Sequence, residues 1–530
     1  MANSYGTMPA AHSALPSSSS STVGRSSLSA AKPIKSSLGS NQDRNSSDES
    51  PLLNHGPHHN QDLGHGTEVG PTAGFWSCTI NLANTILGTG MLAMSGALAT
   101  VGVLLGSFMI IFSAGASGLG LYFLTRSASR TEGRSASFFA CSKLTYPWAA
   151  VLFDFAIAIK CFGVGISYLI IIGQLMPGVV KSLGEMAFVA AGGNGSGDMD
   201  PALWFLLDRR FWITVFMGII APLSFLRKLD SLKATSALAL GAVVYLVFIV
   251  VYYFANPQQP MPPAEEIRLV HFSSKFLTTL PIFVFAFTCH QNIFSVYNEL
   301  SDNGQSMLNW IITTSIGAAA VVYHVIGILG YLTFGNSTGS NIIQMYGSNL
   351  LVTIGRIAIV ILVLFSFPLQ CHPCRACLDK VLFAIGEYWE STRFGKSRAY
   401  NSLTAHDTED DSANTRTSTS VSHANTHHHH DDHGGSAEIS EFKYIAMTTG
   451  ILVASYIIAI TVSELDLVLS FVGSTGSTAV SFILPGSFYY KLHQNDPWTG
   501  RKILSVCLLT YGLLIMVVCL TANIRRAIHG

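Results

Sequence analysis

The sequence predicts an all-α integral membrane protein with eleven spans, and two observations carry that prediction. Of its 530 residues, 49% are hydrophobic and 11% charged, against roughly 25% charged in soluble domains. Positions 75–125 then run for 51 residues without one charged side chain. Stretches of about 20 apolar residues, the length that crosses a bilayer, recur near 75–98, 102–125, 147–174, 211–227, 234–255, 276–297, 309–334, 350–371, 442–463, 465–489 and 503–523. These are spans 1 to 11, and the lipid bilayer is their solvent.

Residues 1–72 precede them as a cytoplasmic tail rich in Ser, Gly, Asn and His, too poor in apolar residues to fold alone. The tail lacks the basic start and apolar run of a cleavable signal, so span 1 is expected to direct insertion. Asp48-Glu49-Ser50-Pro51-Leu52-Leu53 has the form of an acidic dileucine sorting signal. Domain boundaries follow at 73–389 for spans 1 to 8, 390–440 for a Ser/Thr/His-rich cytoplasmic loop and 441–530 for spans 9 to 11. The loop ends in His427-His428-His429-His430-Asp431-Asp432-His433, a tract that suits metal ions or a low-complexity linker, the latter being preferred.

Orientation follows from Lys and Arg, which stay on the cytoplasmic side. With the N-terminus inside, 21 of the 30 basic residues fall in the tail and cytoplasmic loops, 7 fall outside, and Lys160 and Arg356 lie within spans. That distribution predicts a cytoplasmic N-terminus and a lumenal C-terminus. The glycosylation sequons at Asn194 and Asn336 then sit on the lumenal side, where they can be modified, and the one at Asn45 does not. Nine cysteines show no pairing pattern in the outer loops. Cys371-His372-Pro373-Cys374-Arg375-Ala376-Cys377 has overlapping C-x2-C spacings, and Pro373 is expected to break the helix there. The segment therefore reads as the inner end of span 8, open to palmitoylation, with no metal assigned.

Span 1 carries Ile80-Asn81-Leu82-Ala83-Asn84-Thr85-Ile86-Leu87-Gly88-Thr89-Gly90-Met91-Leu92 in its middle. Polar groups facing hydrocarbon are costly, so the string predicts a helix that unwinds around a solute. Five spans later, span 6 places Thr288, Cys289, His290 and Gln291 consecutively at mid-span, as inverted repeats require. A broken helix frees N–H groups that suit a carboxylate and carbonyls that suit an ammonium or a small cation. A zwitterion fits both ends. The competing reading is that these small and polar residues only let helices approach closely.

These strings, together with Tyr297-Asn298-Glu299-Leu300 and Ser366-Phe367-Pro368-Leu369-Gln370, resemble the amino acid/auxin permease family. Within it, Cys289-His290-Gln291-Asn292-Ile293-Phe294-Ser295 and His372-Pro373-Cys374-Arg375 are most similar to fungal vacuolar amino-acid transporters, with sodium-coupled neutral amino acid transporters more distant. The resemblance covers about 73–389 and 440–523. It implies a LeuT-like fold of two inverted five-helix repeats with spans 1 and 6 broken. It also implies a secondary transporter that moves amino acids across the vacuolar membrane by alternating access, coupled to protons. The alternatives are a sodium-coupled plasma-membrane importer or an amino-acid-sensing transceptor.

The two interruptions give a substrate site of Asn84, Gly88, Thr89, Gly90, Thr288, Cys289, His290 and Gln291. Asn84 and Ser366 match the cation-handling positions of the sodium-coupled relatives. Those relatives often have proline where this chain has Ser295, and an acidic residue where it has Gln174, which leaves the coupling ion open. Intramembrane ionisable groups are functional candidates by default. Here they are Asp154, Lys160, His290 and His324. Asp154 and Lys160 stand about 120° apart on a helix, so they do not form a simple pair. His290 is favoured for proton coupling because imidazole titrates at about pH 6.5, with Asp154 next.

Other function classes are excluded or disfavoured. No G-x-x-x-x-G-K-[ST] phosphate loop appears, which argues against an ATP-driven pump. No span holds two His, Asp or Glu residues at i, i+3 or i, i+4, which argues against metal transport. Neither an enzymatic activity, a cofactor nor a nucleic-acid partner is expected.

Overall fold

Alternation between long apolar runs and short polar connections produces a bundle of helices with no sheet among the described residues. The computed structural model describes residues 73–131, 133–191, 201–226, 235–394 and 440–529. The dileucine string, the sequons at Asn45 and Asn194 and the His tract all lie outside those residues.

Span 1 is two helices, 1a (Phe75–Ile86) and 1b (Gly90–Val101), bent by 52° at the break. Span 6 is likewise divided into 6a (Phe276–Ala286) and 6b (Ile293–Glu299), joined by a 3-10 turn over His290–Asn292. Span 2 is Val103–Ala128, span 5 Thr235–Ala255, span 7 Gln305–Phe334, span 9 Glu441–Thr461 and span 11 Gly500–His529. Among the described residues nine helices are long and apolar enough to cross a membrane, or ten if 1a and 1b count as one span. Span 4, Arg209–Ser224, has 16 residues, about 24 Å at 1.5 Å per residue. That is shorter than a hydrocarbon core of about 30 Å, so helix length alone does not fix the count at eleven.

Spans 3 and 8 exceed their expected limits. Span 3 runs from Ala150 to Ala190 through Pro177, and span 8 from Leu350 to Phe394 through Pro368 and Pro373. The expectation that Pro373 ends span 8 is therefore corrected. A proline costs one helical hydrogen bond, whereas unwound backbone in an apolar setting leaves several groups unsatisfied. The two long helices pack along each other as the most extensive pair in the bundle, and this packing holds the helix across the proline. Cys371, Cys374 and Cys377 are buried, and the Cys374 thiol lies 3.5 Å from the Ala158 carbonyl of span 3. Such thiols face the protein interior and are closed to a lipid-modifying enzyme.

Span 10, Leu465–Leu492, carries two π-helical stretches, Gly473–Ser477 and Ala479–Ile483. The wide turn lets Thr478 Oγ1 donate to the Gly473 carbonyl at 2.6 Å. Spans 3, 6 and 10 are largely buried, whereas spans 2 and 11 turn most of their surface outward. The outward residues are apolar, Phe108, Ile111, Val244, Phe248 and Val517 among them, as lipid contact requires.

Candidate functional site

The two helix breaks meet at the centre of the bundle, and each leaves backbone groups unpaired. Helix 1a ends at Ile86, where the Leu87 N–H still reaches the Ala83 carbonyl at 2.8 Å and the Gly88 N–H turns back to the Ile86 carbonyl at 2.8 Å. Among the described residues no backbone N–H then reaches the carbonyls of Asn84 or Thr85. Helix 1b begins without a side-chain cap at Thr89; the Met91 and Leu92 N–H groups turn back to the Gly88 and Thr89 carbonyls at 3.3 and 3.2 Å, which leaves those of Thr89 and Gly90 without a backbone acceptor among the described residues. Tyr323 of span 7 stands between the halves, its hydroxyl 2.6 Å from the Ile86 carbonyl and 2.8 Å from that of Ala286. One proton is thus shared between the ends of 1a and 6a.

Beside the break lies a cavity of about 290 Å³, close to the roughly 300 Å³ at which small-ligand pockets begin. Span 1a contributes Asn81, Asn84, Thr85 and Gly88 to it, the start of 6b Gln291 and Asn292, and span 8 Ser366 and Gln370. It extends from the break toward the face that bears the start of 1a and the end of 6b. On that face 1a and 6b stay joined, with the Ala73 N–H on the Glu299 carbonyl at 3.1 Å and Ser301 N–H on the Ala73 carbonyl at 3.0 Å. Asn298 holds both backbone groups of Ala136, at 3.1 and 2.9 Å, which gives the Tyr297-Asn298-Glu299-Leu300 string its structural purpose. Asn292 Nδ2 donates to Thr85 Oγ1 at 2.7 Å and ties the two helices together at the cavity itself.

The opposite face is sealed. A Cβ on Gly90 would stand 2.9 Å from the Ala286 Cα, and one on Gly96 would stand 2.6 Å from the Gly339 carbonyl oxygen. Gly102, at φ 88°, brings the 1b–2 turn against the strand of chain at 268–271, where Val103 N–H bonds the Arg268 carbonyl at 3.0 Å and His271 N–H bonds that of Val101 at 2.8 Å. Gln174 bridges the Ser463 carbonyl and Asn341, both at 3.0 Å. Asn336 is exposed in the loop after span 7 on this face.

The expected site residues therefore divide. Asn84, Gly88, Gln291 and Ser366 line one cavity. Thr89 and Gly90 are buried at the start of 1b, where Gly90 serves close packing. Thr288 donates to the Val284 carbonyl at 2.8 Å and stands 3.2 Å from Ser481 Oγ, and Cys289 is fully buried. His290 turns its ring away from the cavity, between spans 2 and 10, with Nε2 3.1 Å from the Ser117 carbonyl and Nδ1 3.1 Å from Ser481 Oγ. A carbonyl partner assigns the proton to Nε2, so both ring nitrogens are occupied in a neutral imidazole. Asp154 pairs with Lys380 at 3.7 Å, and His324 bonds the Ala320 carbonyl of its own helix at 2.8 Å.

Sequence reasoning did not single out Tyr168, Gln370 or Tyr323. Gln370 stands in a string already noted, but a tyrosine inside an apolar helix gives no local signal. The amide of Gln291 is buried with neither oxygen nor nitrogen partnered among the described residues, and Gln370 Oε1 is in the same condition. An unsatisfied amide and an unsatisfied amide oxygen on two side chains that line one cavity define a place for a polar solute, because each such group otherwise bears its full desolvation cost. Removing the shared hydroxyl by Tyr323→Phe leaves the buried Ala286 carbonyl without a donor among the described residues, while the Ile86 carbonyl keeps the Gly88 N–H, and is expected to cost about 1–3 kcal/mol. Thermal unfolding in detergent should register a lower midpoint, and an unchanged midpoint would remove the clamp role.

Two interrupted helices around a buried polar cavity, closed on one face, define a multi-pass membrane transporter. The chain matches the family described as "Transmembrane amino acid transporter protein" over residues 71–525. It belongs to that family. It is 40% identical to "Vacuolar amino acid transporter 5" of Schizosaccharomyces pombe, over 86% of this chain and 96% of the relative. It is 24% identical to "Sodium-coupled neutral amino acid symporter 2" of Danio rerio, over 87% and 84%. A solved structure of MhsT in complex with L-phenylalanine aligns at TM-score 0.48 with 11% identity, covering 84% and 98%.

Proposed function

We propose that this protein is a proton-coupled secondary transporter that releases amino acids from the vacuole into the cytosol by alternating access. The observation that carries the reading is the set of unpaired groups on residues that line one cavity, namely the Asn84 and Thr85 carbonyls at the end of 1a, the amide of Gln291 and the amide oxygen of Gln370, with the start of 1b adjoining them at Gly88. Carbonyls at a helix C-terminus attract an ammonium, and N–H groups at a helix N-terminus attract a carboxylate. A zwitterion satisfies both at once. Vacuolar location is supported by the fungal relative and by the acidic dileucine string.

With the N-terminus in the cytosol, the open face is the cytosolic one and the sealed face is lumenal. The conformation then corresponds to the state that delivers substrate inward. Return requires 1a and 6b to close on spans 3 and 8 while 1b and 6a part from the 268–271 and 339–341 segments. A second reading, sodium coupling, is favoured by the side-chain oxygens of Asn84 and Ser366 on the same cavity and by the symporter relative.

Purified protein in liposomes, offered a panel of labelled amino acids under an imposed pH gradient with and without sodium, separates the readings. Accumulation is expected with the pH gradient and to be indifferent to sodium. Uptake that requires sodium would replace the proton, and no flux under either gradient, with substrate still bound, would favour an amino-acid sensor.

A further inference from the structure

One buried charge that the cavity does not explain is Lys160, in the first third of span 3. It is 4% exposed, and among the described residues no hydrogen-bond acceptor and no carboxylate pairs with its Nζ. Asp154, the acid nearest in sequence on that helix, is already held by Lys380. The titratable groups around Lys160 are Cys161 of its own helix and Cys289 and His290 of span 6, none of them a carboxylate. Span 10 packs on it through Gly473–Ser477, where a Cβ on Gly476 would stand 2.7 Å from the Lys160 backbone nitrogen and 2.8 Å from its Cβ. That π-helical stretch offers only hydroxyls, and Ser477 Oγ is itself unpartnered. Span 8 brings Cys371 and Cys374 toward Cys161, and no acid.

An ammonium so deeply buried has given up most of its water without gaining a counter-charge, which costs several kcal/mol. It stays there only if it is neutral for most of the cycle. Its neighbours are also the parts that must move: Cys289 lies three residues beyond the end of 6a, and π-turns are places where a helix readily changes register. The negative end of 6a would stabilise a charge on Lys160 in one arrangement of span 6 and not in the other, the differential interaction that a coupled transition needs.

We propose that Lys160 is the coupling group, neutral in the conformation described here and protonated in the lumen-facing one, so that proton binding and the position of span 6 are linked. The inference rests on the proton-coupled reading above. His290, satisfied on both nitrogens, then acts as a spacer between spans 2, 6 and 10.

The test uses the full-length protein in liposomes with Lys160→Met, an apolar residue of similar length, and Lys160→Arg, which stays charged. Lys160→Met is expected to fold with an unfolding temperature at or above that of the wild type. It should keep substrate exchange at equal pH and lose accumulation driven by a pH gradient, together with substrate-dependent proton movement seen by a pH dye. Lys160→Arg should be less stable and equally uncoupled. Gradient-driven accumulation by Lys160→Met matching the wild type overturns the proposal, as does failure of Lys160→Met to fold, since that would make the charge structural. A wild-type protein indifferent to pH would instead remove the proton-coupled reading itself.

Discussion

Gly88→Leu is expected to abolish amino-acid flux while the protein folds and inserts normally. Gly88 lines the cavity, and a Cβ there meets nothing within 4 Å, so a leucine side chain enters space meant for the solute. Gly90, two residues on, behaves differently. Its Cβ would fall 2.9 Å from backbone and side chain of Ala286, where 1b and 6a pack, and overpacking of that kind costs about 1–3 kcal/mol or more. Gly90→Leu should therefore lower the unfolding temperature together with flux. Measuring uptake and thermal unfolding on both variants separates an occluded site from a strained one. Wild-type uptake by Gly88→Leu would show that the cavity is not on the substrate's route.

Replacing Gln291 by alanine should weaken substrate affinity without weakening the fold. Its amide has no protein partner to lose, so truncation removes an unsatisfied group and leaves stability level or raised. A hydrogen bond to a charged group contributes about 1.5–3 kcal/mol, equivalent to roughly 10- to 150-fold in half-saturation concentration. Gln291→Glu should be worse still for a carboxylate, because like charges would meet in a buried cavity where bulk water screens them poorly. Saturation curves for uptake by the three proteins test this. An unchanged half-saturation value in Gln291→Ala would detach the residue from the substrate.

Within the candidate site, legibility depended on whether a residue's role was local. Asn84, Gly88 and Gln291 announced themselves because a polar or flexible residue in a membrane helix has a cost that only a special environment offsets. Thr288, Cys289 and His290 gave the same signal for another reason: Thr288 and His290 bond spans 2 and 10 behind the break, and Cys289 is buried between them. Periodicity cannot separate those cases, since an unwound stretch has no regular face from which to read direction. Pro373 misled for a related reason, because the penalty for a proline depends on whether a partner helix holds the chain on both sides of it.

The sequence by itself determined the solvent of this protein, the places of its spans and the two positions where a helix must break. Those are one-dimensional properties, set by the hydrophobic effect acting on about 20 residues at a time and by the cost of unpaired polar groups in an apolar medium. Tertiary structure alone decided that Asn84 and Gln291 share a cavity with Ser366 and Gln370, that Tyr323 bridges both breaks, and that Lys160 is buried without a counter-charge among the described residues. Each of these depends on distances between residues far apart in the chain, and such distances are fixed only when the helices pack.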